Sequence, residues 1–220
     1  MLVSRRALGA VALAWGCALP GLSVQAAERA AAAVDFAGET ASTDARYAAE
    51  WVVRTHDHRG MPFVIVDKKD ARIYLFTARG RLAGAAPALL GLARGDHSAP
   101  GVGDLPPSRI PLADRTTPAG RFVTEPGQNL DGEDVVWMDY DAGLAIHRVR
   151  PNAAQEARLQ RLASTLPDAH RVSAGCVVVP VAFYESVVRP MLGRQHGVVY
   201  VLPETQAVQQ MLAATRSADL

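Results

Sequence analysis

Little in this chain marks a common functional class. Only two cysteines occur in 220 residues, too few for a disulfide-stapled scaffold. Neither sign of charge prevails: 23 basic side chains face 22 acidic ones and leave a net +1. That balance excludes a partner held by bulk charge, so no nucleic acid is expected. Past the N-terminus no apolar run approaches the roughly 18–20 residues a membrane span needs, so no transmembrane helix is expected in the mature protein. There is no internal repeat, and only an Ala-rich leader approaches low complexity.

What is present begins with the first residues. Arg5 and Arg6 precede an uncharged run from Ala7 to Leu19, followed by Pro20, Gly21 and the small-residue stretch Val24-Gln25-Ala26-Ala27. This is the grammar of a signal peptide cut after Ala26, and it places the mature protein in the periplasm or cell envelope. Cleavage would remove Cys17 and leave Cys176 as an odd thiol in an exported protein, either reactive or paired between molecules. The remaining length, with 49% hydrophobic residues, suits one ordinary domain.

Residues 27–61 read as a leader followed by a helix over Ala45 to Val53. Phe63 to Val66 and Ile73 to Phe76 form a hairpin about the turn Asp67-Lys68-Lys69-Asp70, and Leu82 to Leu92 supplies a third strand interrupted by Gly84 and Pro87. Gly91 to Pro118 reads as a long loop of the kind that borders a cleft. Strands resume at Gly120 to Val123, Val135 to Met138 and Leu144 to Ile146, with Pro126-Gly127 and Asp141-Ala142-Gly143 as separators. His147 then stands at a strand end. Pro151 opens a helix over Ala153 to Leu166, a second helix covers Ala182 to Leu192 with a bend at Pro190, and Val198 to Leu202 is the last strand. Residues 62–203 are the expected catalytic unit, and 204–220 a frayed helical tail.

A catalytic thiol needs a base to supply thiolate and N–H donors for the oxyanion. Gly175 permits a tight turn before Cys176, and Ser173 can brace that turn by local hydrogen bonding. Against this stands a plain alternative, in which Cys176 is a small core residue before a run of valines. Of six histidines, His147 is favoured as base because a strand holds it rigidly. His170, nearer in sequence, is the reserve. His56-Asp57-His58 invites a metal, but no second ligand cluster accompanies it. Thiol chemistry supplies its own nucleophile, so no metal and no cofactor are expected.

The order Thr117-Pro118-Ala119-Gly120-Arg121-Phe122, a strand-borne His147, then Ser173-Ala174-Gly175-Cys176 resembles the L,D-transpeptidase (YkuD-like) catalytic domains from about Phe63 to Leu202. The resemblance implies a mainly β fold with peripheral helices (α+β), a sandwich-like catalytic domain, with Cys176 as nucleophile and His147 as base. It implies a thioester between Cys176 and a peptidoglycan stem tetrapeptide, with loss of D-Ala and transfer to an amine of another stem or of a lipoprotein. Water as acceptor would make the chain an amidase or carboxypeptidase of the same fold, and loss of turnover would make it an envelope-binding module. Two positions depart from the family pattern: Ala174 stands where His is usual, and Val178 where Arg commonly follows the cysteine by two residues.

Overall fold

The computed structural model describes residues 34–150, 152 and 154–218. The segment read as an export leader, with Cys17, lies outside the described residues, as does Pro151. In chain order come helix α1 (Thr43–Thr55) and strands β1 (Phe63–Asp67), β2 (Arg72–Phe76), β3 (Leu82–Pro87) and β4 (Leu90–Gly91). Next are β5 (Gly120–Val123), β6 (Glu125–Gln128), β7 (Asp134–Asp139), β8 (Leu144–Arg148) and helix α2 (Gln155–Leu162). Strands β9 (Arg171–Ser173) and β10 (Val177–Val179) lead into helical turns α3 (Val181–Phe183) and α4 (Arg189–Leu192), then β11 (Val198–Val201) and helix α5 (Val208–Ala218).

β1 is buried along its whole length, because successive side chains point to opposite faces and both faces are covered. Val64 and Val66, with Ile73, Leu75, Val199 and Val201, meet Val136, Ile146, Val177 and Val179 in one core. The first set belongs to a five-stranded sheet of order β3-β2-β1-β11-β5, the second to a four-stranded sheet of order β10-β8-β7-β6. The alternate residues Phe63, Ile65, Tyr74, Phe76, Val198 and Tyr200 pack on Ala48, Ala49 and Val52 of α1 and on Val208 and Leu212 of α5. Two facing sheets with helices at the periphery make the α+β arrangement expected from the sequence.

α1 starts where the Ser42 side chain accepts a hydrogen bond from the Ala45 amide at 3.0 Å, and it ends at His56 in a left-handed conformation. Several boundaries differ from the sequence expectation. The stretch Leu82 to Leu92 is two strands: β3 ends with Pro87 opposite Arg72, and the chain crosses to pair β4 with β9. Gly84 lies within β3 at a register shift, where Leu75 faces Gly84 and Phe76 faces Leu82. Pro126-Gly127 is part of β6, an edge strand, where a residue without an N–H is tolerated. The helix expected to Leu166 stops at Leu162, its one buried residue, and Pro167 starts a 3₁₀ turn through His170. Between α3 and α4 the helical stretch widens into a π turn over Tyr184–Val188, just before Pro190. The segment read as a frayed tail is docked: Val208, Met211 and Leu212 are buried.

Candidate active site

Cys176 sits in the turn between β9 and β10, and His147 is carried by β8. The two strands run parallel, with Val177 beside Ile146 and Val178 beside His147. Cys176 and His147, 29 positions apart in sequence, thereby line one cleft of about 550 Å³. One wall comes from the long loop before β5, with Leu105, Pro106 and Ile110, and another from the β6–β7 hairpin and β7, with Leu130 and Trp137. The loop expected to border a cleft therefore does so. Asp104, Asp114, Asp131 and Arg150 supply the charges of the lining.

The half-buried Cys176 thiol donates to the Gly143 carbonyl at 3.5 Å. Burial pushes its pKa up, while the Ala145 amide, the Arg150 charge and the amide of Cys176 itself pull it back. His147 Nδ1 lies 2.8 Å from the Arg148 carbonyl oxygen. A carbonyl only accepts, so Nδ1 carries the proton in the neutral ring and Nε2 keeps the lone pair a base requires. Burial takes the imidazole down to about 4; the Arg148 carbonyl opposes this, and the charges of Arg150 and Arg158 add to it. At neutral pH the resting pair is a thiol and a neutral imidazole. Among the described residues no direct hydrogen bond joins the two, so proton transfer needs a side-chain adjustment or one bridging water.

Ser173 braces the turn from both sides. Its hydroxyl donates to the Cys176 carbonyl at 2.6 Å and accepts the Gly175 amide at 3.1 Å. The Gly175 amide is thereby committed, whereas the amides of Ala145 and Cys176 are the ones that lower the thiol pKa. Gly175 has φ +141°, and a Cβ there would stand 3.0 Å from the Thr116 carbonyl oxygen, so a side chain at this position would strain the turn. Ala174 lines the cleft. Val178 instead packs with Leu89, Val149 and Leu162.

The other histidines lie apart from this cleft. His170 is buried, with its ring nitrogens against the carbonyls of Ala88 and Ser164. His56-Asp57-His58 is a packed junction: Asp57 accepts from Arg121 Nε at 2.7 Å and from the Tyr200 hydroxyl, and His58 Nε2 donates to the Ala78 carbonyl at 2.9 Å. Its polar letters invited a metal because their actual partners lie far away in sequence.

Sequence reasoning missed the polar cluster beneath the cleft loop. Lys68, from the β1–β2 turn, is buried and pairs with Asp96 at 2.8 Å. Burial pushes the Asp96 carboxyl up, yet hydrogen bonds from Lys68, Thr205 and the Glu204 amide outweigh it and hold the group well below the usual carboxylate range. The Glu204 side chain is buried beside them and is paired with Arg171 of β9. Two lysines in a polar turn gave no hint that one of them points inward.

The sequence matches no family model, and no curated protein matches it. Among solved structures, the chain is similar to an L,D-transpeptidase from Xylanimonas cellulosilytica DSM 15894, at 17% identity and TM-score 0.38, over 64% of this chain and 60% of that one. It is also similar to a variant of the helical cell shape determining protein from Campylobacter jejuni, at 14% identity and TM-score 0.42, over 76% and 58%. A third is the catalytic domain of an E. faecium L,D-transpeptidase acylated by ertapenem, at 19% identity and TM-score 0.35, over 64% and 97%. This chain spans about three fifths of the length of the first two.

Proposed function

We propose that the chain is a cysteine acyltransferase of the bacterial cell envelope, acting on peptidoglycan stem peptides as an L,D-transpeptidase does. The observation that carries the proposal is the shared cleft, which is lined by Ala145, Cys176 and His147, the last with an Nε2 free to accept a proton. The envelope location rests on the export pattern of residues 1–26. No described helix is long and apolar enough to cross a membrane.

In the proposed reaction Nε2 of His147 takes the thiol proton, directly or through one water, as sulfur attacks the carbonyl carbon before the terminal D-Ala. The carbonyl oxygen becomes an oxyanion, and the amide of Cys176 is the proposed donor to it. The imidazolium returns its proton to the nitrogen of D-Ala as the C–N bond breaks, leaving a thioester. An amine then attacks the thioester, His147 accepts the proton the amine loses, and the thiol is restored as sulfur leaves. Water in place of the amine gives hydrolysis by the same steps. A binding module without turnover is the second reading, favoured by the burial that raises the thiol pKa.

D-Ala release from a stem tetrapeptide, with an amine acceptor supplied, tests the proposal. Cys176→Ser should release none, and His147→Ala should lose about 10²–10⁴-fold. His170→Ala is the control and should stay near wild type. A reversal of the two histidine results would move the base to His170. Wild-type rates in all three variants would make Cys176 a structural residue.

A further inference from the structure

We propose that Thr117 is a positioning residue that aims the backbone N–H of Cys176 into the cleft, and that the buried Lys68 ammonium holds Thr117 in place. The proposal rests on the reading of Cys176 as nucleophile and adds to it the origin of its oxyanion donor.

Thr117 is fully buried and is absent from the cleft lining. Its hydroxyl accepts the Gly91 amide at 2.8 Å and donates to the Gly175 carbonyl at 2.7 Å. The Gly91 amide can only donate, so the single hydroxyl proton is directed at Gly175. A trans peptide unit is planar, with its C=O and N–H pointing in opposite directions. Gripping the Gly175 oxygen on the buried side therefore turns the Cys176 N–H away from Thr117. That same N–H is one of the two amides that lower the thiol pKa. Ser173 secures the neighbouring peptide units through the Gly175 amide and the Cys176 carbonyl, but among the described residues Thr117 alone grips the unit between Gly175 and Cys176.

Thr117 is in turn fixed from below. Its carbonyl accepts from Lys68 Nζ at 2.9 Å, and the other two ammonium protons go to the Gly95 carbonyl and the Asp96 carboxylate. A lysine ammonium has three donors, so all are spent. Gly95 and Thr117 stand near the two ends of the cleft loop, and the Ala119 amide closes the same neck by donating to the Asp96 carbonyl at 3.0 Å. One buried cation thus joins the loop neck to the nucleophile turn.

Single-turnover D-Ala release at saturating tetrapeptide, with thermal unfolding of each variant as a check, tests this. Thr117→Val, which removes the hydroxyl and keeps the shape, should lower the saturating rate about 10- to 100-fold while the half-saturating concentration stays within about twofold. Thr117→Ser restores the hydroxyl and should recover the rate to within about threefold of wild type. A folded Thr117→Val at wild-type rate, or equal impairment of both variants, overturns the proposal. If Thr117→Val does not fold, Lys68→Met combined with Asp96→Asn removes the anchor without stranding a buried charge, and a wild-type saturating rate there overturns it. Should wild type release no D-Ala, the reading of the reaction fails on its own. Alkylation of Cys176 by iodoacetamide across pH then still decides the geometry, with a higher apparent thiol pKa expected in Thr117→Val and the wild-type value in Thr117→Ser.

Discussion

Val178 stands beside His147 in the parallel pairing of β10 with β8, and its side chain is 3% exposed. It packs with Leu89, Val149 and Leu162, so the strand next to His147 presents hydrocarbon where the resemblance places an arginine. Val178→Arg would force a guanidinium into that cluster. A loss of about 3 kcal/mol in urea unfolding is expected. An unchanged midpoint would show that this side of β8 is open to solvent.

The His147 imidazole, at about 4 in the folded chain against an ordinary 6.5, links stability to pH. Between these values the unfolded chain binds the proton and the folded chain does not. The stabilisation is complete above about 6.5 and is lost as pH falls towards 4, to a limit of about 3 kcal/mol. His147→Gln should flatten the dependence between pH 7 and 4.5 in urea titrations. If wild type and variant run parallel, the ring is not held neutral by burial. For the same reason the acid limb of kcat/KM should lie near 4 rather than 6.5.

Lys68→Met leaves the Asp96 carboxylate buried without its ammonium, an arrangement that costs about 3–5 kcal/mol. Chemical unfolding of the single variant, set beside Lys68→Met with Asp96→Asn, should show most of that loss recovered in the pair. Equal losses would mean that Lys68 matters for packing rather than charge.

Gly103 carries the cleft loop against the β7–β8 turn, and a Cβ there would stand 1.9 Å from the Asp141 carbonyl oxygen. Gly103→Ala must shift the loop wall. Half-saturation by the tetrapeptide should rise about tenfold, with a much smaller change in the saturating rate. A shift in the saturating rate alone would place the role of this contact at the nucleophile rather than at the wall.

Much of this fold was legible because hydrophobic alternation reports directly on sheets. Phe63 to Val66, Ile73 to Phe76 and Val135 to Met138 carried their own evidence, and the long Gly- and Pro-bearing loop announced a cleft. The misread segments were those whose state depends on partners distant in sequence. Pro126 is a strand residue only because β6 is an edge, and Leu82 to Leu92 divides because β9 waits in another sheet. At the site, Cys176, His147 and Ser173 could be picked by residue type. Thr117 entered only as a letter of the resembling motif and Lys68 not at all, since the contacts that join them to the turn span 58 and 49 positions.

The most direct measurement is the intact mass of the protein quenched in acid during turnover of a stem tetrapeptide without acceptor. The account predicts a species heavier by the peptide acyl group less D-Ala, located on Cys176, released by hydroxylamine as a thioester should be, and missing from Cys176→Ser. A folded wild type that never gains this mass, or an adduct that persists in Cys176→Ser, would contradict it.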